Sequence, residues 1–524
     1  MSELESSLHV YQPPLYRGAK GGWKKSFVDA AAECEGDLTW DPAAVLGIMS
    51  FNYVCGDRTL VNEVKRQPWL SEIGPDGEVR LEEIPKHGRI WQNHSEIIKE
   101  FNDLLWQEAL EVCKGRKEIY LLLSGGMDSR IVAGTLSMLC EEGSLDVKPV
   151  CVTWGLEDSR DVVYGRKVAE ILGFEWVHLN LTKEDLCYNI YELPIAMGSM
   201  ASPIHLHRIG WFEKVSPDAL VLASSYGNHA NRSEYSGRHL LELDYLRPVN
   251  RFGLIRREVL KSAYDGIMQD LGNLRDRSRG QPKYAVCENE MLGHYMRNMI
   301  GHVMSVIDRY CKVYQMFTHP KLYSYIWSIH PALRDKSICA ELLGRFHPRL
   351  AHVPWARTNR AFKGRTTGAR SGLRRHFLDY SVWGGGDMYD EINEYVDPEW
   401  FAETGIFDAD GIRALAEEVR VGANGKGRYG YMPHEKWLWL ASFRSMAEHL
   451  GSLGKHCKTV RDDTRDAEGI PKSVIDRSIK PIHGIYRCLG PLLGLLRRLR
   501  KLHRRLYLCI LRRRAIREHP PDRE

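Results

Sequence analysis

With 524 residues, 43% hydrophobic and 27% charged, the chain has the make-up of an ordinary globular protein. One large domain plus smaller parts, or about three domains, fits that length, and a disordered or fibrous chain is excluded. The net charge of +5 is uneven: residues 472–524 hold 15 Lys/Arg and 4 Asp/Glu, a net of +11, leaving −6 for the rest and no call for the body to bind nucleic acid. None of the twelve cysteines forms a C-x-x-C pair, so reduced, buried thiols in a cytosolic protein are expected. The opening MSELESSLHV lacks the charged-then-apolar pattern of a secretion signal.

In chain order, residues 1–112 are weakly patterned. Phe51–Cys55 reads as a strand, Gly74–Gly77 as a turn, and Glu78–Leu81 as a strand after it. His94–Val112 is helical, with Ile97, Ile98, Phe101, Leu104, Leu105 and Leu110 on one face. Strands and helices then alternate. Ile119–Leu123 is a strand, Ser124–Ser129 a loop, and Arg130–Glu141 a helix. Val147–Trp154 is a strand, and Arg160–Leu172 a helix ended by Gly173. Trp176–Leu181 and Leu220–Ala223 are two more strands, and Thr182 with Asp185 opens another helix as a capping pair. That alternation argues for an α/β fold on a doubly wound parallel sheet. Residues 285–350 and 430–450 read as largely helical. Gly364–Gly386 reads as a Gly/Arg-rich loop, and residues 461–469 as a polar linker.

The chemistry concentrates at Ser124-Gly-Gly-Met-Asp-Ser129. A strand that ends in glycines and opens a helix makes an anion site. Unpaired helix N–H groups and the dipole favour negative charge, and Gly125 and Gly126 let the backbone approach it closely. Ser124 and Ser129 add hydroxyl donors. Asp128 would repel a bare phosphate, so its presence argues for Mg²⁺ bridging to a polyphosphate. The Walker pattern and its lysine are absent. The plain alternative is a glycine turn between strand and helix.

This loop resembles the pyrophosphate loop of the N-type ATP pyrophosphatases, which split ATP between the α and β phosphates. Several families share it. Cys151–Asp161 with Val168–Gly173, Leu220–Gly227, Val353–Arg357 and Lys436–Phe443 resemble the synthetase domain of asparagine synthetase, and residues 47–80 resemble the end of that family's glutaminase domain. The resemblance implies an adenine nucleotide alpha hydrolase-like sheet with a C-terminal helical part. It implies ATP and Mg²⁺, with Asp128 on the metal. Ser124, Gly125, Gly126, Ser129 and Gly227 would then be nucleotide-binding, and the strand backbone at Leu122 and Val152 would hold adenine. It divides the chain into a truncated glutaminase remnant at 1–112, an ATP-binding domain at 113–455, and a linker and basic tail at 456–524.

Two departures shape the expected activity. The family's glutaminase needs an N-terminal cysteine nucleophile, but here Met1-Ser2 precede a first cysteine at Cys34, so no glutamine hydrolysis is expected. The nitrogen would come from ammonia or from an amine of the substrate. Where the family has an acidic loop, this chain reads Ser224-Ser-Tyr-Gly-Asn-His-Ala230. Tyr226 then falls at the catalytic glutamate, and Asn228 or His229 at a metal aspartate. Arg357 or Arg360 would supply charge to the leaving pyrophosphate, without the acid–base capacity of lysine. Asp158 and Asp161 read as solvated or helix-capping.

In Lys480–Arg517, Leu492, Leu496, Leu499, Leu502, Leu506 and Ile510 lie at helix spacing between dense arginines. An anionic membrane surface, a protein partner and nucleic acid all suit the charge. The leucine stripe favours the membrane. The expectation is a cytoplasmic ATP-dependent amide-forming ligase, peripheral at the inner membrane face. It would act on a small-molecule, glycan or peptide carboxylate, with oligomeric state open. The other reading is a non-catalytic relative recruited as a binding partner.

Overall fold

The computed structural model describes residues 10–86, 88, 90, 92–227, 246–330, 333–334, 337–362, 371–422, 432–459, 470–471 and 474. Asn228, His229, the 461–469 linker and the 480–517 tail lie outside the described residues. Five parallel strands form the central sheet: β1 (Ile119–Leu122), β2 (Val150–Trp154), β3 (Trp176–Leu179), β4 (Leu220–Ala223) and β5 (Lys312–Gln315). Their order is β5-β4-β1-β2-β3, so the winding reverses between β1 and β4. In open α/β sheets a ligand crevice forms beyond the carboxyl ends of the strands at such a reversal.

β5 corrects the helical reading of 285–350. Its four residues are too few to show a period in sequence, and as an edge strand it pairs only with β4. β2 starts three residues later than its apolar run because Pro149 has no N–H for the ladder. Phe51–Cys55 is not a strand. Asp41 accepts from the Ala43 and Ala44 N–H groups and Pro42 sits in the first turn, which starts helix α1 (Pro42–Phe51); Asn52, at φ 74°, ends it. The 74–77 turn does join two short antiparallel strands, Ser71–Ile73 and Val79–Leu81. Within the expected 364–386 loop, Tyr380–Gly385 is a short helix.

The remaining helices follow their local signals. A capping box of Asn93 and Glu96 opens α2 (His94–Cys113). No side-chain hydrogen bond caps α3 (Asp128–Glu141). Ser159 caps α4 (Arg160–Leu172), and Gly173, at φ 66°, terminates it. The Thr182–Asp185 capping box opens α5 (Lys183–Tyr191). α6 (Arg257–Arg277) packs on α1, and α7 (Met432–Ser452) on α5. Between them lies an 11-residue π-helix, Met291–Gly301, a rare geometry that recurs at functional sites.

One apolar core lies under α2, α3 and α4. A second joins residues 16–64 to α6 and α7, where Trp437, Leu438, Trp439, Leu440 and Phe443 are all buried. Lys436 shares that burial. Its ammonium donates to Ile48 O at 2.6 Å and to Asn52 Oδ1, so it caps the C-terminal end of α1 rather than reaching the sheet crevice. Burial pushes its pKa down to about 8. Between that value and the ordinary 10.5 only the unfolded chain keeps the proton, so this group adds stability as pH rises from about 8 to 10.5. Lys436→Met is expected to flatten that rise, read as the change in urea midpoint between pH 8 and 10.

Candidate functional site

The glycine loop is held from inside and from behind. Ser124 N–H donates to Ser129 Oγ at 3.2 Å, Gly126 N–H donates to Ser124 Oγ at 3.1 Å, and the two hydroxyls lie 3.2 Å apart. Arg130, fully buried, donates to Gly125 O at 3.2 Å, Pro354 O at 2.9 Å, Val353 O at 2.6 Å and Leu350 O at 3.2 Å. Ala356 N–H adds a bond to Gly125 O at 3.1 Å. A Cβ on Gly125 would come within 2.9 Å of Ala356 Cβ and Arg160 O. Glycine there is a packing requirement as much as a ligand one. The 353–357 stretch therefore clasps the loop through its backbone.

Above this loop, at the β1/β4 reversal, lies a cleft of about 330 Å³, a size suited to a small ligand. Its wall combines two chemistries. Ser124, Gly126, Asp128, Ser129, Ser224 and Ser225 supply polar lining. Leu122, Val152, Trp154, Met299, Ile300 and Phe377 supply apolar lining. Leu122 and Val152 are register partners on adjacent strands. The donor set fits a nucleotide: an apolar slot for a base beside hydroxyls and uncapped helix amides for phosphate. It also fits a magnesium ion bound through one or two carboxylates plus phosphate oxygens, with Asp128 and Asp161 the carboxylates in the lining. Asp161 accepts from the Gly125 N–H, and burial pushes its carboxyl up to about 6 against that bond and the Arg130 charge.

Residues 100–207 match the family model for asparagine synthase. That span runs from α2 through the glycine loop and β1–β3 to the cleft residue His207. The chain carries an asparagine synthetase-like synthetase domain. Glutamine-hydrolysing asparagine synthetases of Homo sapiens and Pongo abelii are each 26% identical to it over 117 residues. The aligned stretch spans 21% of this chain and 21% of each relative, about a fifth of their length.

In this synthetase-like domain the expected site residues divide. Leu122, Ser124, Gly126, Asp128, Ser129 and Val152 line the cleft. Gly125 supports it from behind, and Gly227 abuts Asp128. Tyr226 is a correction. After β4 the chain turns, with Gly227 N–H donating to Ser224 O at 3.1 Å, so Ser224 and Ser225 face the cleft and Tyr226 faces the core. The Tyr226 ring is 1% exposed, lies edge-on to Tyr11 at 5.9 Å, and its hydroxyl donates to Met296 O at 3.4 Å. Arg357 is a second correction. The 355–360 turn, closed by Trp355 N–H to Arg360 O with Asn359 at φ 57°, puts Arg357 on the surface over the Trp355 ring. Neither Arg357 nor Arg360 lines the cleft.

The sequence reading missed Asp161, which follows a strand by one loop and sits on the inner side of α4. Its neighbour Asp158 does meet expectation as a surface group, 3.0 Å from Arg374 with both side chains at least half exposed. His207 was also missed: its ring packs on Trp154 at 5.3 Å and on Phe377 at 5.1 Å, and burial pushes its pKa down to about 3. No local pattern marks either residue.

Gly227 offers a sharp test of the geometry. A Cβ there would fall 2.6 Å from Asp128 Cβ and 2.8 Å from the Phe317 ring, so Gly227→Ala must push the Asp128 side chain aside. We expect weaker Mg·ATP binding by about tenfold or more, about 1.4 kcal/mol, measured by titration calorimetry with folding checked by circular dichroism.

Proposed function

We propose that this chain is an ATP-dependent amide-forming ligase. A substrate carboxylate oxygen attacks the α-phosphorus of ATP, the α–β phosphoanhydride bond breaks, and pyrophosphate leaves. An amine or ammonia then attacks the acyl carbon, expels AMP and loses its proton to solvent. The observation that carries this reading is the Ser124–Ser129 loop at the β1/β4 reversal with Asp128 inside the cleft. Asp128 would hold Mg²⁺, which neutralises charge on the departing pyrophosphate. Ser124, Ser129 and the first amides of α3 bind phosphate oxygens, while Leu122, Val152 and Trp154 enclose the base. Catalysis is then positioning and charge stabilisation. The nitrogen donor is free ammonia or an amine of the substrate. The acid is a small-molecule, glycan or peptide carboxylate, reached at an anionic membrane face through residues 480–517. Among the described residues no helix is long and apolar enough to cross a membrane.

A second reading, a non-catalytic binding partner, is favoured by one observation. The described part of the 224–230 loop offers the cleft two serines and no carboxylate. Pyrophosphate and AMP release from Mg·ATP separates the two readings. The assay supplies ammonium and fractionated acids from the host cell. Release that depends on a fraction supports the ligase. ATP binding without release under every fraction supports the partner.

A further inference from the structure

A second cavity, of about 390 Å³, opens between residues 56–69, α6 and the π-helix. Four cations, Arg58, Lys65, Arg277 and Arg297, face it with two carboxylates, Asp57 and Asp270, a net charge of +2. The carboxylates are spent on particular partners. Asp270 pairs with Arg58 at 2.6 Å, and Asp57 with Arg297 at 2.6 Å. Arg58 also pairs with Asp41 at 3.0 Å. That leaves Lys65 and Arg277. Lys65 makes no ion pair among the described residues. Arg277 spends its guanidinium on carbonyls, Trp69 O at 2.6 Å, Glu82 O at 3.0 Å and Leu70 O at 3.2 Å, and makes no ion pair among the described residues, while the Asp57 and Glu82 carboxylates act on it from farther away.

His294 supplies the independent observation. It stands in the wall of this cavity and is 2% exposed. Its Nδ1 accepts from the Gly56 N–H at 3.2 Å, which puts the proton of the neutral ring on Nε2. Burial and the charges of Arg297 and Arg275 keep the ring neutral, lowering its pKa to about 4. That Nε2 is buried and has no hydrogen-bond partner. A buried donor without an acceptor is costly, and a ligand oxygen would relieve it. Arginine and lysine beside it suit a doubly charged oxyanion.

We propose that this cavity binds a small dianion, carried by carboxylate or phosphate groups, at a site separate from the nucleotide cleft. His294 Nε2–H donates to one anionic group, and Lys65 and Arg277 balance the charge. The π-helix connects the two sites. It carries His294 and Arg297 into this cavity and Met299 and Ile300 into the nucleotide cleft. The inference does not rest on the ligase reading, and its test uses no ATP.

The test is calorimetric titration of the full chain at low salt with glutarate, inorganic phosphate and butyrate. Glutarate and phosphate probe the two head groups; butyrate is the monoanion control. We expect at least one dianion to bind with Kd below about 1 mM and butyrate to bind at least about tenfold more weakly. The dianion that binds identifies the head group. Lys65→Glu, an exposed strand position, is expected to weaken that binding by about tenfold or more with an unchanged thermal midpoint. Phosphate captured by the glycine loop instead would be insensitive to Lys65→Glu. Failure of both dianions to bind, or affinities that stay the same in both Lys65→Glu and Arg277→Gln, would overturn the proposal.

Discussion

Asp128→Asn is expected to lower fraction-dependent pyrophosphate release by about 10³-fold or more, about 4 kcal/mol in the barrier. The change is isosteric, so the packing against Gly227 is kept, and only the charge that would face the metal is lost. Asp128 is 6% exposed at the first residue of α3, inside the cleft wall. An exposed carboxylate could be replaced by water at little cost, but a buried one cannot. ATP binding without magnesium is expected to survive, because the amides and hydroxyls of the loop are untouched. The two measurements together separate a loss of metal function from a loss of fold. Wild-type release rates in Asp128→Asn would end the mechanism proposed above, whatever the substrate.

Arg130→Met is expected to reduce the free energy of unfolding by about 3–5 kcal/mol, read from urea denaturation. The substitution keeps much of the apolar stem and removes a guanidinium that serves four carbonyls. Those carbonyls belong to the glycine loop and to residues 350–354, two segments more than 200 positions apart in the chain. Burial pushes the Arg130 pKa down to about 9 against the opposing Asp161 charge, so the guanidinium still carries its proton at neutral pH and needs the acceptors it holds. Arg130→Lys is expected to recover part of the loss, since one ammonium cannot reach four carbonyls in a fork. A stability within about 1 kcal/mol of wild type in Arg130→Met would show that the clasp between the two segments is held elsewhere.

Legibility in the sequence followed the range of the forces involved. β1, β2 and the glycine loop were readable because a buried parallel strand needs a continuous apolar run and a phosphate loop needs glycine next to a helix start. The capping pair Thr182–Asp185 and the Gly173 stop were readable because each is settled within four residues. The sites that failed lay at longer range. Tyr226 shares a four-residue turn with Ser224 and Ser225, yet only the position of Met296 and Tyr11 behind it decides which of the three faces the cleft. Asp161 became a cleft carboxylate because α4 docks against the glycine loop, whose Gly125 N–H donates to it.

The amino-acid order thus carries the strand–helix alternation, the helix ends and the position of the glycine loop, all products of local periodicity and neighbouring hydrogen bonds. Assembly in three dimensions chose what surrounds that loop. It set the sheet order that opens the cleft at β1 and β4, the π-helix between two cavities, and the burial that shifts Asp161, Arg130 and His294 from their ordinary pKa values. Desolvation and charge pairing depend on which distant segments meet, and no window along the chain contains that information.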